Sequence, residues 1–435
     1  MEKLAQLFFL IMIATGLGFF IFNLKKIRKN ILKGRHVIRN DRKALRWRHV
    51  LYLALGQNKM LIKPVSGILH LVVYFGFIII NIELLEIILD GLLGTHRLFA
   101  PFLGPSYAYL IGSFEILAFG VLLAAIVFWT RRNLIKLQRF WKPEMEGWPK
   151  KDADYILYFE IVLMFLFLSM NATDSLLQGQ HPDYLTAGAF PISQFLTPLF
   201  DGLSLTTLVI FERFFWWLHI IGILFFLNYL YYSKHLHILL GFPNVYYANL
   251  KPYGSFPVDG SITSEVKMLL NFPSDEGPSE EIPERFGAKD VTDLNWVQLM
   301  NAYSCTECGR CTDVCPANLS GKKLSPRKIM MDTRDRLASL DNKKEPNGKE
   351  KYLLDGFISR EELWACTSCN ACVEACPIAI DPLSIIMDMR KYLVMEQSSA
   401  PSELNNMMSN IENNGAPWPY SQRDRLLWSQ ELTNK

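Results

Sequence analysis

The chain has 435 residues, a formal net charge of +3 and 50% hydrophobic residues. That length allows two or three domains, and the basic stretch 25–48 is better explained by membrane topology than by a nucleic-acid partner. The apolar residues are not spread evenly: residues 1–240 alternate long apolar runs with short polar stretches, whereas 241–435 read as a soluble domain with a polar tail.

The first run, Leu4 to Leu24, is 21 residues without a charge, long enough to span a bilayer. It makes a poor signal peptide, because its n-region is weak, no A-x-A site follows and the basic residues come after it. Four more spans are expected at about 65–89, 106–129, 155–177 and 206–232. Glu83, Glu86, Glu115 and Glu160 fall within them and should face the bundle interior. Residues 25–48 carry eleven Lys and Arg against one Asp, and 131–142 carry five with no acid. By contrast, 90–105 has only Arg97, and 178–205 has none. The positive-inside rule then sets both basic loops in the cytoplasm, the N-terminus outside, and residue 233 onward in the cytoplasm of a prokaryotic inner membrane.

Residues 241–293, with "FPSDEGPSEEIPERFG", read as a linker along the membrane surface. Beyond them all eight cysteines fall in two runs, Cys305, Cys308, Cys311, Cys315 and Cys366, Cys369, Cys372, Cys376, each C-x-x-C-x-x-C-x-x-x-C-P. This is the bacterial two-cluster ferredoxin spacing, in which the fourth cysteine of each run ligates the other cluster. One [4Fe–4S] cluster is therefore expected on Cys305, Cys308, Cys311 and Cys376, and the other on Cys366, Cys369, Cys372 and Cys315. Disulfides do not suit a cytoplasmic domain, and zinc sites use two pairs rather than two matched runs of four. The halves repeat further: Ile329, Met331, Asp332 and Arg334 match Ile385, Met387, Asp388 and Arg390. Ser325 and Asp381 are N-cap residues with Pro326 and Pro382 at the first helical position, so a helix follows each run. The expected fold is all-α: a five-helix transmembrane bundle over 1–240, the linker over 241–293, an α-helical two-cluster ferredoxin domain over 294–400, and a tail over 401–435 that suits partner docking.

Two clusters beside a membrane need a way to exchange electrons with it, and haem b held by axial histidines is the usual carrier. In "WWLHIIGILFFLNYLYYSKHLH", His219 and His237 are 18 residues apart, five turns of one continuous helix, so both would share a face. His235 would then point nearly opposite and bind nothing. His70, near the cytoplasmic end of the second span, matches His237 in depth, and the two form a candidate haem pair. His36 and His49 read as solvated residues of the basic loop, and His96 and His181 as outer-loop residues without a role. No P-loop or G-x-G-x-x-G is present, so NAD or FAD binding is not expected.

"GILHLVVYFGF", "WWLH", "YSKHLHIL", "CTECGRCTDVCPA", "GKKLSPRKI" and "ENNGAPWP" together resemble a membrane-bound Fe–S oxidoreductase family. That family joins a domain like the gamma subunit of respiratory nitrate reductase to a ferredoxin domain like the small subunit of heterodisulfide reductase. The resemblance implies electron transfer between electron-transfer flavoprotein and menaquinone. It also implies Cys-Cys-Gly domains with a further iron–sulfur cluster after the "ENNGAPWP"-type segment, expected here on a separate subunit docked by the tail. A second histidine, ten residues after His70 in the family pattern, is Ile80 here, followed by Asn81. The comparison keeps His70 with His237 and leaves His219 without its mate, so one haem is expected and a second is not secured. Competing readings are the membrane arm of a heterodisulfide- or sulfur-metabolism complex, a ferredoxin-type maturation protein, and a plain membrane anchor.

Overall fold

The structure, a computed structural model, describes residues 2–256, 260–272, 285–340 and 351–433. Among the described residues the chain is mostly helical and forms no strand beyond two isolated bridges. Among these residues five helices are long and apolar enough to cross a membrane: α1 (Glu2–Ile31), α2 (Pro64–Leu93), α3 (Ser106–Asn133), α4 (Trp148–Leu177) and α5 (Leu205–Tyr229). Local chemistry sets their ends. Pro64 fits the first turn of α2, where its missing N–H costs nothing, and Gly94 closes that helix at φ 74°. Ser204 caps α5 by accepting the Thr207 N–H at 3.2 Å.

The helices form a ring: α2 packs on α3, α3 on α4, α4 on α5, and α1 closes it against both α2 and α5. Phe9 of α1 seats on Trp216 and Trp217, with ring centroids 5.2 and 5.8 Å away. Gly91 admits that ring, since a Cβ there would stand 2.6 Å from it. Outward, Leu4, Ile11, Phe19 and Phe22 of α1 and Ile68, Phe75 and Ile82 of α2 are exposed. An apolar band of this kind suits hydrocarbon rather than water.

At the end where α1 starts, charge is folded inward. Arg97, the lone basic residue of the 90–105 loop, is buried at a left-handed φ of 56°. Its guanidinium donates to Glu83 at 3.0 Å, Asn171 at 2.8 Å and Asp174 at 2.7 Å. Glu86 accepts from the Tyr107 hydroxyl and the Phe99 N–H, both at 2.7 Å, and Glu115 from the Ile192 and Ser193 N–H groups. Glu83, Glu86 and Glu115 thus lie inside the ring and tie loops to it. Glu160 is only half-buried and has no hydrogen-bond or ion-pair partner among the described residues. Removing one member of a buried ion pair costs about 3–5 kcal/mol. Arg97→Leu, which strands Glu83 and Asp174, is expected to destabilise the bundle by about that amount. Thermal unfolding in detergent checks this; an unchanged midpoint would refute it.

At the other end, α5 gives way to α6 (His237–Tyr246), and the ferredoxin domain follows with α7 (Trp296–Ser304), α8 (Pro326–Ser339) and α9 (Pro382–Met395). Ser325 and Asp381 cap α8 and α9 through Lys328 and Ser384 N–H groups. The two helices share a core of Ile329, Met330 and Leu337 with Ile385, Ile386, Met389 and Leu393. Ala288 and Val291 belong to the same core, so its packing begins ahead of residue 294. Within the expected linker, Gly260–Leu269 is helical, and 257–259 and 273–284 lie outside the described residues. In the tail, Ser402–Asn414 forms α10 with no buried residue, and Trp418, Tyr420 and Trp428 are exposed.

The domain docks on the bundle end that carries the basic loops. Arg35 N–H donates to Leu294 O at 2.8 Å, and Trp296 N–H to Arg35 O at 3.1 Å. Lys63 pairs with Asp313 at 2.9 Å and Arg327 with Glu144 at 2.6 Å. Ile27 and Ile31 of α1 pack with Val297 and Met300 of α7.

Candidate metal and cofactor site

Each cysteine run is built the same way. A short capped helix ends at the first cysteine: Asn295 with Gln298 opens α7 toward Cys305, and Ser359 with Glu362 opens Arg360–Ala365 toward Cys366. The residue two further on takes a left-handed backbone, Glu307 at φ 56° and Ser368 at φ 57°. That turn points its N–H back at sulfur, 3.5 Å from Cys305 Sγ and 3.4 Å from Cys366 Sγ. Hydrogen bonds of this kind tune iron–sulfur potentials.

The chain gathers the thiols in two groups. Cys305, Cys308, Cys311 and Cys376 lie within Coulombic range of one another, and Cys311 also of Cys372, where the two groups adjoin. Cys315, Cys366, Cys369 and Cys372 line one cavity, closed by Leu324, Pro326, Leu383 and Ile386. Burial pushes the Cys305 thiol up to about 12 and Cys376 up to about 11. Bare thiolates are thus disfavoured there, and a bound metal would supply the compensating charge. Among the described residues no three His, Cys, Asp or Glu side chains close on one point as a single ion requires. Thiolates at the corners of a cubane stand further apart than ligands of one ion, so the two fourfold groups fit clusters.

The groups differ in their surroundings. Arg310, in the first run, donates to Lys59 O at 2.9 Å, and Lys59 Nζ donates to Glu374 O at 2.7 Å. Arg139, from the loop after α3, lies within Coulombic range of Cys308. The first group therefore abuts the membrane domain. The second is lined by ferredoxin-domain residues, and its Cys369 is exposed. We call them proximal and distal.

The histidines require a correction. The run 216–237 is not one helix: α5 ends at Tyr229, a tight turn spans Leu230–Tyr232, and Ser233 is extended at ψ 147°. Asp152 holds the break by accepting the Tyr229 hydroxyl at 2.6 Å and the Lys234 N–H at 3.1 Å. His219 and His237 therefore do not share a helix face, because the turn count assumed a continuous helix. Nor does His235 point away: it lies 5.3 Å from His237 and 5.4 Å from Phe226, ring centre to centre. Both it and His237 lie within Coulombic range of His70. Burial holds His237 below the usual imidazole range and pushes His235 down to about 3, so both rings are neutral, as metal ligands must be.

The ring of His237 engages Lys234 O through Nδ1 at 3.3 Å, which leaves Nε2 available. That is the outer hydrogen bond that orients a ligating histidine. His70 Nδ1 is buried without a hydrogen-bond partner, an unfavourable state inside an apolar bundle. The nearness of His70 to His237 and the Nδ1 bond of His237 fit a haem held by those two residues; the unpartnered Nδ1, which His219 shares, does not single His70 out. His219 is buried on α5, 5.8 Å from Phe167, with Nδ1 unpartnered and its ring near the Leu163 backbone. The structure does not bring it to His70 or His237. His49 is half-buried rather than solvated, and His96 pairs with Asp174 at 3.1 Å. His36 is exposed.

Sequence reasoning missed Lys234 and Glu307. Lys234 is buried, and its Nζ meets Glu307 and, at 2.5 Å, Pro149 O. Arg334 takes the other Glu307 oxygen at 2.9 Å. The repeat carried a partial signal, since Arg390, the match of Arg334, holds the equivalent distal loop through Ser368 Oγ at 3.2 Å and Cys366 O at 2.5 Å.

Residues 304–380 match a 4Fe-4S dicluster domain family. The chain is 28% identical to a "Probable iron-sulfur-binding oxidoreductase FadF" of Bacillus subtilis over 98% of its own length and 61% of the relative. It is 26% identical to an "EtfAB:quinone oxidoreductase" of Syntrophomonas wolfei over 94% of its length and 57% of that protein. A "Probable membrane-anchored ferredoxin" of Chromohalobacter salexigens is 31% identical over 34% of the chain and 24% of the relative. The chain thus spans about three-fifths of the length of the two relatives that match nearly all of it. No solved structure matches it significantly. Together these likenesses support an iron–sulfur oxidoreductase with a redox, electron-transfer role at a membrane.

Proposed function

We propose that the chain is the membrane electron-transfer unit of a quinone-linked oxidoreductase. The observation that carries this reading is the junction itself: the proximal cysteine group and His70, His235 and His237 meet where the ferredoxin domain docks on the bundle. Cys366, Cys369, Cys372 and Cys315 hold the distal cluster, which faces outward at Cys369 and receives electrons from a partner. Cys305, Cys308, Cys311 and Cys376 hold the proximal cluster beside the membrane. His70 and His237 hold haem b, which supplies one-electron exchange with menaquinone. The protein's part is to fix ligands, burial and separation, while the cofactors carry the redox chemistry. His219 remains a candidate ligand for a second haem only if another group supplies the sixth bond.

A relative named for EtfAB and quinone supports electron-transfer flavoprotein as the donor. A Cys-Cys-Gly iron–sulfur unit, on another polypeptide or on a continuation of this one, is the proposed intermediary. The exposed Trp418, Tyr420 and Trp428 give it an apolar surface to dock on. The basic loops at the docking end support a cytoplasmic position for the ferredoxin domain in a prokaryotic inner membrane. A pyridine haemochrome assay and electron paramagnetic resonance on the purified protein test the cofactor set. Two [4Fe–4S] signals with haem b are expected. Clusters without haem would leave only an anchored ferredoxin.

A further inference from the structure

We infer that Lys234 and Glu307 form a positioning pair that locks the proximal cluster to the haem-binding histidine, an inference that rests on the function proposed above. Lys234 acts on both sides of the junction. Its backbone carbonyl accepts from His237 Nδ1 at 3.3 Å, which sets the posture of that imidazole. Its ammonium group meets the carboxylate of Glu307, which lies between Cys305 and Cys308. One residue therefore touches the candidate haem ligand and the proximal cysteine loop.

The pair is built rather than incidental. Both side chains are almost fully buried, at 8% and 2% exposure. Asp152 fixes the Lys234 backbone through its N–H at 3.1 Å, and Arg334 fixes Glu307 from the ferredoxin side at 2.9 Å. A buried pair with its remaining polar atoms satisfied holds one geometry and resists slippage. The left-handed backbone of Glu307 is uncommon for a side-chain-bearing residue. It aims the N–H at Cys305 Sγ while the carboxylate reaches Lys234.

The internal repeat supplies the comparison that singles this pair out. Ser368 occupies the matching place in the distal run, with the same backbone turn and the same N–H to sulfur. Its side chain accepts from Arg390 of its own domain and contacts Met387. The two loops share one backbone turn, and at this position only the loop facing the membrane carries a carboxylate tied to the bundle. Electron transfer between fixed carriers makes and breaks no bond; one electron leaves the reduced cluster and one arrives at the acceptor. Its rate depends on how the carriers are held, so an anchor at this point acts on transfer and on the proximal cluster alone.

The test compares wild-type protein with Lys234→Met, Lys234→Arg and Glu307→Gln, each purified with its cofactors. Iron and haem contents report folding and loading. The electron paramagnetic resonance signal and midpoint potential of each cluster report the local effect, and stopped-flow haem reduction after cluster reduction reports transfer. In Lys234→Met, contents stay at the wild-type level, the proximal signal shifts while the distal one does not, and haem reduction slows on the order of tenfold to a hundredfold, as small misplacements do. Lys234→Arg recovers part of the rate, and Glu307→Gln reproduces the shift. Unchanged proximal signal and rate, or equal shifts of both clusters, would overturn the inference. Absence of haem from the wild-type protein would instead remove the proposed function, an outcome visible before any variant is made.

Discussion

Replacing Cys376 by Ala is expected to remove the proximal cluster, although Cys376 belongs in sequence to the distal run. Non-haem iron should fall from about eight to about four atoms per chain, since each cubane carries four. The surviving signal should be that of the cluster on Cys366, Cys369, Cys372 and Cys315. Cys315→Ala should do the reverse: the distal cluster is lost and the proximal one stays. The argument is geometric. Cys376 lies with Cys305 and Cys308, while Cys315 lines the cavity of Cys366, Cys369 and Cys372. The two variants should also differ in function. Without the proximal cluster, electrons on the distal one have no carrier beside the membrane. Without the distal cluster, the proximal one still exchanges electrons with quinone. Iron analysis with electron paramagnetic resonance decides the matter; if Cys376→Ala spared the cluster of its neighbours in the first run, the crossed pairing would be wrong.

The second large effect concerns the histidines. His70→Ala and His237→Ala should each abolish the haem b of this junction, and His219→Ala should leave it in place. A haem iron that loses an axial imidazole from a buried apolar site also loses the interaction that holds it there. His237 is prepared for this role by the bond from its Nδ1 to Lys234 O, and His70 by its place beside His237. Haemochrome content in detergent-purified variants gives the answer. Loss of haem in His219→Ala, with none lost in His237→Ala, would reverse the assignment. His235 is the internal control, since it stands beside His237 without that ring bond.

Much of this architecture can be read from the residues. The five apolar runs correspond to the five long helices, because length and the absence of charge govern what can cross hydrocarbon. The spacing leads to the expectation that Cys376 lies with the first run and Cys315 with the second, as the structure places them, and the caps at Ser325 and Asp381 follow from local hydrogen bonding. What escaped the sequence depends on distant partners. The stretch from Trp216 to His237 reads as one helix, yet Asp152, far away in the chain, takes the Lys234 N–H and stabilises a break. That break moves His235 and His237 off the axis of α5 and makes helical counting meaningless beyond Tyr229. Arg97 escaped for the same reason. As a lone loop charge it entered only the topology argument, whereas three interior side chains draw it into the bundle. Glu307 looks like an ordinary polar residue between two cysteines until Lys234 arrives from the membrane side.

The central claim is that electrons pass between the ferredoxin clusters and menaquinone through the junction at His70 and His237. The most direct measurement reduces the purified protein anaerobically with a slight excess of dithionite and then adds a menaquinone analogue while optical and electron paramagnetic resonance spectra are recorded. The reading predicts that the quinone reoxidises haem b and both clusters in the wild-type protein, and that cluster reoxidation is slowed severely in His237→Ala. Clusters that stay reduced in the presence of quinone, or that reoxidise equally fast without the haem, would contradict it.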